Sequence, residues 1–219
     1  MDENGEARYV PALRFRWLTP AYDVVARATT RERKVKTALI GQANLAGGQR
    51  VLDLACGTGT LAIWMKQHCP QASVVGVDGD ASILAIAARK ARVAHTAVQF
   101  DHGLSYRLPY PDGQFDRIVS SLFFHHLSWN DKLRTVRELF RVMRPGGEPH
   151  VADFGRATGP LMRAGFFAVQ LLDGFSNTRD NVAGRLVEVF RGAQFAQSSQ
   201  TRTFSTVFGT LALYRAVKP

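Results

Sequence analysis

The stretch Val51-Leu52-Asp53-Leu54-Ala55-Cys56-Gly57-Thr58-Gly59-Thr60-Leu61-Ala62 decides how this chain is read. An apolar run carrying one carboxylate meets a glycine-spaced turn, and a helix-like pattern opens directly behind it. A buried strand, a tight turn and a helix account for that order. Gly57 and Gly59 let the backbone approach a ligand closely and take positive φ where the turn demands it. Ligands of open α/β sheets bind at such carboxyl strand ends. The spacing Gly57-x-Gly59-x-x-Ala62 also satisfies the G-x-G-x-x-G/A pattern of dinucleotide binders, so the turn alone leaves the ligand open.

Asp53 separates the readings. A carboxylate just ahead of the turn would oppose a pyrophosphate, which seeks amide dipoles and positive charge. The same carboxylate suits a ligand with an ammonium group, such as the methionyl part of S-adenosylmethionine. Its alternative role is to tie up turn amides. Outward from the turn, the next apolar run is Val74-Val75-Gly76-Val77-Asp78. Asp78 falls 19 residues beyond Gly59, where an acidic side chain accepts hydrogen bonds from both ribose hydroxyls of an adenosine. Asp80 caps the helix that begins near Ala81. Ile83 lies against an adenine or belongs to the core.

Further strands are expected at Arg50–Ala55, Ser73–Asp78, Ala97–Asp101, Phe115–Ser121 and Glu148–Asp153, with helices at Thr60–His68, Ala81–Ala94 and Asp131–Met143. In the last helix Leu133, Val136, Leu139, Phe140 and Met143 recur at three- and four-residue spacing, which makes one face apolar. Arg144-Pro145-Gly146-Gly147 ends it. Strands alternating with amphipathic helices predict a parallel sheet covered on both faces. Residues 1–49 read as an N-terminal helical cap and 50–155 as the ligand-binding core. Residues 156–193 read as a helical insert around Phe166, Phe167, Leu171, Leu172, Leu186 and Val189. Ala196–Thr203 and Thr210–Val217 form a closing strand pair within 194–219. The expectation is one α/β domain with a Rossmann-like, seven-stranded, mostly parallel sheet.

Composition sets outer bounds. The 219 residues are 46% hydrophobic and 21% charged, enough for one well-buried core. No apolar run reaches the roughly 20 residues of a membrane-spanning helix. The acidic start, Met1 to Glu6, has no apolar run behind it, which argues against a secretory signal. Cys56 and Cys69 are the only cysteines and lack metal-site spacing. A soluble, cytoplasmic, reduced protein without a metal is expected. The net charge of +10 is uneven: residues 1–50 carry +4, residues 51–116 carry −1 and residues 117–219 carry +7. The basic surface fits an anionic acceptor, a nucleic acid or an acidic membrane face, or serves solubility. Since no basic run is interleaved with aromatics, nucleic acid is the weaker partner.

From about Val51 to Gly155 the chain resembles the class I S-adenosylmethionine-dependent methyltransferases, in the small-molecule branch that includes the quinone-biosynthesis C-methyltransferases. The resemblance rests on Val51–Gly59, Val75–Leu84, the run Leu108-Pro109-Tyr110-Pro111-Asp112-Gly113-Gln114-Phe115-Asp116, and Leu139–Gly147. It implies a cofactor, S-adenosylmethionine, leaving as S-adenosylhomocysteine. Asp53, Ala55, Gly57 and Gly59 would line its methionyl and ribose portion, and Asp78 with Gly79 would hold the ribose. Ile83, Gly103, Leu104 and Ser120 complete the expected cofactor set, with Tyr22 in a cap that closes over it. Two positions depart from the family. Ala55 stands where Gly is usual. Leu104, in Gly103-Leu104-Ser105, replaces an Asp that often contacts the adenine amino group, which leaves adenine to backbone groups and packing.

Methyl transfer from a sulfonium is an in-line displacement that alignment alone can accelerate greatly. In Ser120-Ser121-Leu122-Phe123-Phe124-His125-His126-Leu127, a neutral His125 or His126 would remove a proton from an acceptor. Either histidine would equally fix the loop. Asp153, at the end of the fifth strand, would face acceptor or solvent. The aromatic and aliphatic insert predicts an apolar or lipid-like acceptor pocket, or else the inner face of lid helices. The run Gly209-Thr210-Leu211-Ala212-Leu213-Tyr214 does not look like the ending of the quinone enzymes, which argues against a quinone. A small-molecule acceptor is therefore expected. Methylation of RNA or protein, nicotinamide-dependent redox chemistry, and a catalytically silent scaffold stand as alternatives.

Overall fold

The computed structural model describes residues 32–219, and for a few residues between 168 and 176 the backbone alone. Tyr22, Pro20 and most of the expected N-terminal cap lie outside the described residues. After the cap, strands and helices alternate as anticipated. Helix α1 (Glu32–Ala43) leads into β1 (Arg50–Leu54), α2 (Thr60–His68), β2 (Ser73–Asp78), α3 (Ala81–Val93) and β3 (Gln99–His102). Then come β4 (Phe115–Ser121), α4 (Trp129–Val142) and β5 (Met143–Phe154). The insert forms α5 (Pro160–Asp173), α6 (Phe175–Ala183) and α7 (Leu186–Gly192), and β6 (Ala196–Thr206) and β7 (Gly209–Val217) close the chain.

The strands assemble one seven-stranded sheet in the order β3-β2-β1-β4-β5-β7-β6. β1 pairs in parallel with β2 on one side and with β4 on the other, so the order reverses beside β1. A crevice opens outside the carboxyl ends of the strands at such a reversal. β7 runs antiparallel between β5 and β6.

Alternation along each strand sorts its side chains onto two faces. Leu52, Leu54, Val75, Val77, Ile118, Val151 and Tyr214 pack with Val136 and Leu139 of α4 and with Leu186, Val189 and Phe190 of α7. On the opposite face Val51, Val74, Val119, Ala152 and Leu213 meet Val35 and Leu39 of α1, Leu61 and Met65 of α2, and Phe166 of α5. Val51, Leu52 and Leu54 are essentially inaccessible to solvent. Each contributes roughly 1.5–3 kcal/mol by burial, which together holds the polar Asp53 among them inside the sheet.

Local chemistry explains the helix starts. Asp80 accepts from the Ser82 amide at 2.8 Å, the expected cap of α3. Ser128 accepts from the Asp131 amide at 3.2 Å and donates its hydroxyl to the Asp131 carboxylate, so α4 begins at Trp129, two residues before the expected start. β5 begins at Met143, not Glu148, because the Arg144–Gly147 turn pairs with the C-terminal segment: the Gly146 amide donates to Lys218 O at 2.8 Å and the Lys218 amide to Gly147 O at 2.9 Å.

Candidate active site

Three residues of the turn after β1 have left-handed backbone: Ala55 (φ 54°), Gly57 (φ 51°) and Gly59 (φ 74°). Glycine takes this geometry freely; for Ala55 it costs roughly 1–2 kcal/mol. The turn is fixed by the Cys56 amide donating to Val77 O and the Gly59 amide donating to Cys56 O, at 3.0 and 2.9 Å. The two glycines do different work. A Cβ on Gly59 would lie 2.8 Å from the Phe100 ring and 2.9 Å from the Ala87 Cβ, so its missing side chain lets α2 pack against α3 and β3. A Cβ on Gly57 would meet nothing within 4 Å. Gly57 therefore borders open space at the strand ends.

Two carboxylates frame that space. Asp53 is 1% exposed and accepts from the Ala62 amide at the start of α2. Its Oδ2 has no hydrogen-bond partner among the described residues. Burial pushes its carboxyl up to about 7, against the pull of Lys36 and the Ala62 amide, with Asp78 adding repulsion. A buried oxygen without a partner is costly unless a cationic donor completes it. Asp78 accepts from the Gly57 amide at 2.9 Å and the Asp80 amide at 3.0 Å. Burial also raises its carboxyl, opposed by those amides. Lys90 reaches the same turn, but its ammonium donates to the Thr58 and Thr60 hydroxyls at 2.9 and 2.7 Å. Two carboxylates beside open backbone suit an ammonium and a ribose, and repel a diphosphate.

The other expected residues gather on the same rim. Gly79 follows Asp78, and its carbonyl meets His102 Nε2 at 3.1 Å. Ile83 sits half-buried in the first turn of α3. The Gly103 amide donates to Asp78 O, and a Cβ there would strike Pro109 at 2.7 Å. Leu104 is half-buried and its carbonyl accepts from the Arg107 amide. Ser120 differs: it is buried, and its hydroxyl donates to Leu54 O at 3.0 Å, tying β4 to the end of β1.

Beyond β4 the chain turns sharply, with Leu122 left-handed at φ 58° and Phe124–His126 in a single 3₁₀ turn. His125 is 3% exposed, and its Nδ1 lies 2.8 Å from Asp153 Oδ1. Asp153 also accepts from the Phe123, His125 and Phe154 amides. Burial opposes its ionisation, yet His125 and these amides hold its carboxyl below the ordinary range. Asp153 thus faces neither solvent nor open space; it anchors the loop that carries both histidines. The half-buried His126 ring stacks 4.0 Å from that of His125.

Sequence reasoning missed the groups behind this pair. Lys132 of α4 is 1% exposed, and its ammonium donates to Asn177 O at 2.8 Å and Asn181 Oδ1 at 3.1 Å, with Asp180 at 3.6 Å. Asn181 donates to Phe154 O, and Asn177 donates to His126 O. Helix α6 of the insert is therefore bolted to the histidine turn. The one available signal was Lys132 lying one turn before Val136 on the apolar side of α4.

Comparison with known proteins bears on this site. Residues 51–147 match the model of a methyltransferase domain family. The chain is 32% identical over 167 residues to a demethylmenaquinone methyltransferase of Deinococcus radiodurans, covering 75% of this chain and 68% of that one. A second, of Thermus thermophilus, is 37% identical over 147 residues and 64% of each chain. The chain thus spans about two thirds of these relatives' lengths. Phosphoethanolamine N-methyltransferase 2 of Haemonchus contortus, solved with S-adenosyl-L-methionine, superposes with a TM-score of 0.68 at 16% identity, over 84% of this chain and 52% of that one.

Proposed function

We propose that this chain, which belongs to the class I S-adenosylmethionine-dependent methyltransferases, methylates a ring carbon of a reduced, lipophilic quinone. The observation that carries the acceptor class is the similarity to two demethylmenaquinone methyltransferases, extending over three quarters of the chain in one of them. The C-terminal run that argued against a quinone is β7, an internal sheet strand whose Leu211 and Leu213 serve the core. It has no bearing on the acceptor. The RNA, protein and nicotinamide alternatives draw support from neither the acidic cradle nor these relatives.

In this reading Asp53 would receive the ammonium of the bound amino acid at Oδ2, which has no partner among the described residues, and Asp78 would receive the ribose hydroxyls. Gly57 leaves room for the backbone to approach, while Gly79, Ile83, Gly103 and Leu104 border the base. S-adenosylmethionine, when bound, supplies a methyl group on a positively charged sulfur that leaves readily. In this reading His125 donates Nδ1–H to Asp153, and its Nε2 is assigned as the general base. It takes the proton from a quinol hydroxyl, and the ring carbon gains the nucleophilicity it needs. Once the methyl is in place, His125 would return its proton to the ring oxygen, and the ring proton replaced by the methyl would leave to solvent. His126 would lie beside the acceptor, and the insert at 156–193 would shape its pocket.

The test is incubation with methyl-labelled S-adenosylmethionine and a reduced demethylnaphthoquinone bearing an isoprenoid tail. Label in the organic phase as a C-methyl product is expected, with none from the oxidised quinone. Label recovered in RNA or protein, with none in the quinol, would defeat the assignment.

A further inference from the structure

Helix α5 exposes apolar side chains on the side away from its buried Phe166. Leu161 is 76% exposed, whereas Gln170 on the same helix is 4% exposed, donating to Thr178 and accepting from Arg163. Phe167 is 48% exposed, and at the β6–β7 turn Val207 is 70% exposed. Turn and helix form one unit: a Cβ on Gly165 would lie 2.3 Å from Val207 O, so only glycine lets α5 lie against the hairpin tip.

Cations border this apolar face. Arg33 and Lys34 of α1, with Arg202 of β6, line an open basin of about 490 Å³ floored by Ala38 and Phe204. The Arg202 guanidinium sits 5.1 Å above the Phe204 ring, and Phe204 shares its apolar layer with Phe166 of α5. Glu32, at the same end of α1, is paired with Lys36. Arg202 and Val207 are five positions apart along the hairpin, roughly 17 Å at the usual rise. Arg202 of the basin and the exposed Val207 thus lie on one hairpin, against whose tip α5 packs, in a chain of net charge +10. No described helix is long and apolar enough to cross a membrane.

We propose that the outer face of α5, the β6–β7 turn and the Arg33–Lys34–Arg202 basin form a docking surface for an anionic lipid bilayer. The cations meet lipid phosphates while Leu161 and Val207 enter the interfacial zone. The surface deepens the quinol reading, on which it rests for its purpose, since an isoprenoid quinol resides in a bilayer and must be reached there.

Co-sedimentation of the full chain tests it, using vesicles of phosphatidylcholine alone and of phosphatidylcholine mixed with phosphatidylglycerol, neither containing quinone. Binding to the mixed vesicles that weakens with salt is expected. Leu161→Glu and Val207→Glu should each weaken it about tenfold, and each of Arg33→Gln, Lys34→Gln and Arg202→Gln about fivefold. Retained stabilisation by S-adenosylhomocysteine certifies that the variants fold. Equal binding to both vesicle types, or Leu161→Glu binding like the parent, overturns the proposal. So does a dimer in light scattering that Leu161→Glu dissociates, which would assign the face to a second copy. Because the vesicles hold no quinone, the two readings fail separately: methylation without vesicle binding removes this surface, and vesicle binding without quinol methylation removes only the acceptor.

Discussion

Replacing Asp53 with Asn should make the protein more stable and a poorer binder at the same time. Burial raises the Asp53 carboxyl from 3.8 to about 7. Its native pKa thus lies above its unfolded one, so the folded chain retains a proton that the unfolded chain gives up. The stability this contributes is complete below about pH 4, drains away as pH rises toward about 7, and stays lost above it. At ~1.4 kcal/mol per unit the loss has an upper bound of ~4 kcal/mol. Asn keeps the acceptor for the Ala62 amide and carries no charge to dehydrate. Recovery of even ~1 kcal/mol raises the melting temperature by about 2–4 °C in a chain of this size. Meanwhile the charge-assisted contact to the ligand's ammonium, worth about 2 kcal/mol, disappears, a loss of roughly thirtyfold in affinity. Melting curves at pH 5 and pH 8 with and without S-adenosylhomocysteine, paired with calorimetry, read both effects. The Asn variant should melt above the parent at pH 8 by more than at pH 5. If it melts lower at pH 8, or binds S-adenosylhomocysteine as the parent does, the electrostatic account of the cradle is wrong.

Other outcomes can be checked with the same material. Asp78→Ala should abolish the thermal shift given by S-adenosylhomocysteine, since mass-action stabilisation requires binding; a full shift in that variant excludes a ribose role. Gly59→Ala places a methyl group under 3 Å from Phe100 and Ala87 at φ 74°, and should cost at least about 2 kcal/mol in urea denaturation. A neutral result would mean that α2 and α3 are less tightly apposed. His125→Asn should lower the quinol turnover rate about 10²-fold or more with cofactor affinity unchanged; a parent-like rate would reduce His125 to a loop-fixing residue.

The glycine turn and the strands on either side of it were readable because both-face burial demands continuous β-branched and aliphatic runs, and because left-handed turns favour glycine. Asp53 and Asp78 stood out as charges inside such runs. Boundaries slipped where pairing was remote: nothing near Arg144 announces that the segment beyond it will bond to Lys218. Lys132 was invisible for a related reason. A lysine on a helix reads as solvated, and only Asp180 and Asn181, carried by a distant helix, turn it inward. Asp153 was placed at the correct strand end but given the wrong surroundings, since its enclosure depends on the fold of the histidine turn. The outward apolar side chains of α5 were visible as composition, yet their direction was not.

The Lys132 clamp has a consequence for traffic through the enzyme. Lifting α6 would break the Lys132 contacts to Asn177, Asn181 and Asp180 together. An acceptor entering beside the histidine turn would therefore meet a helix fastened at three points, and the fit of its tail against that fastened side would decide which tails are admitted.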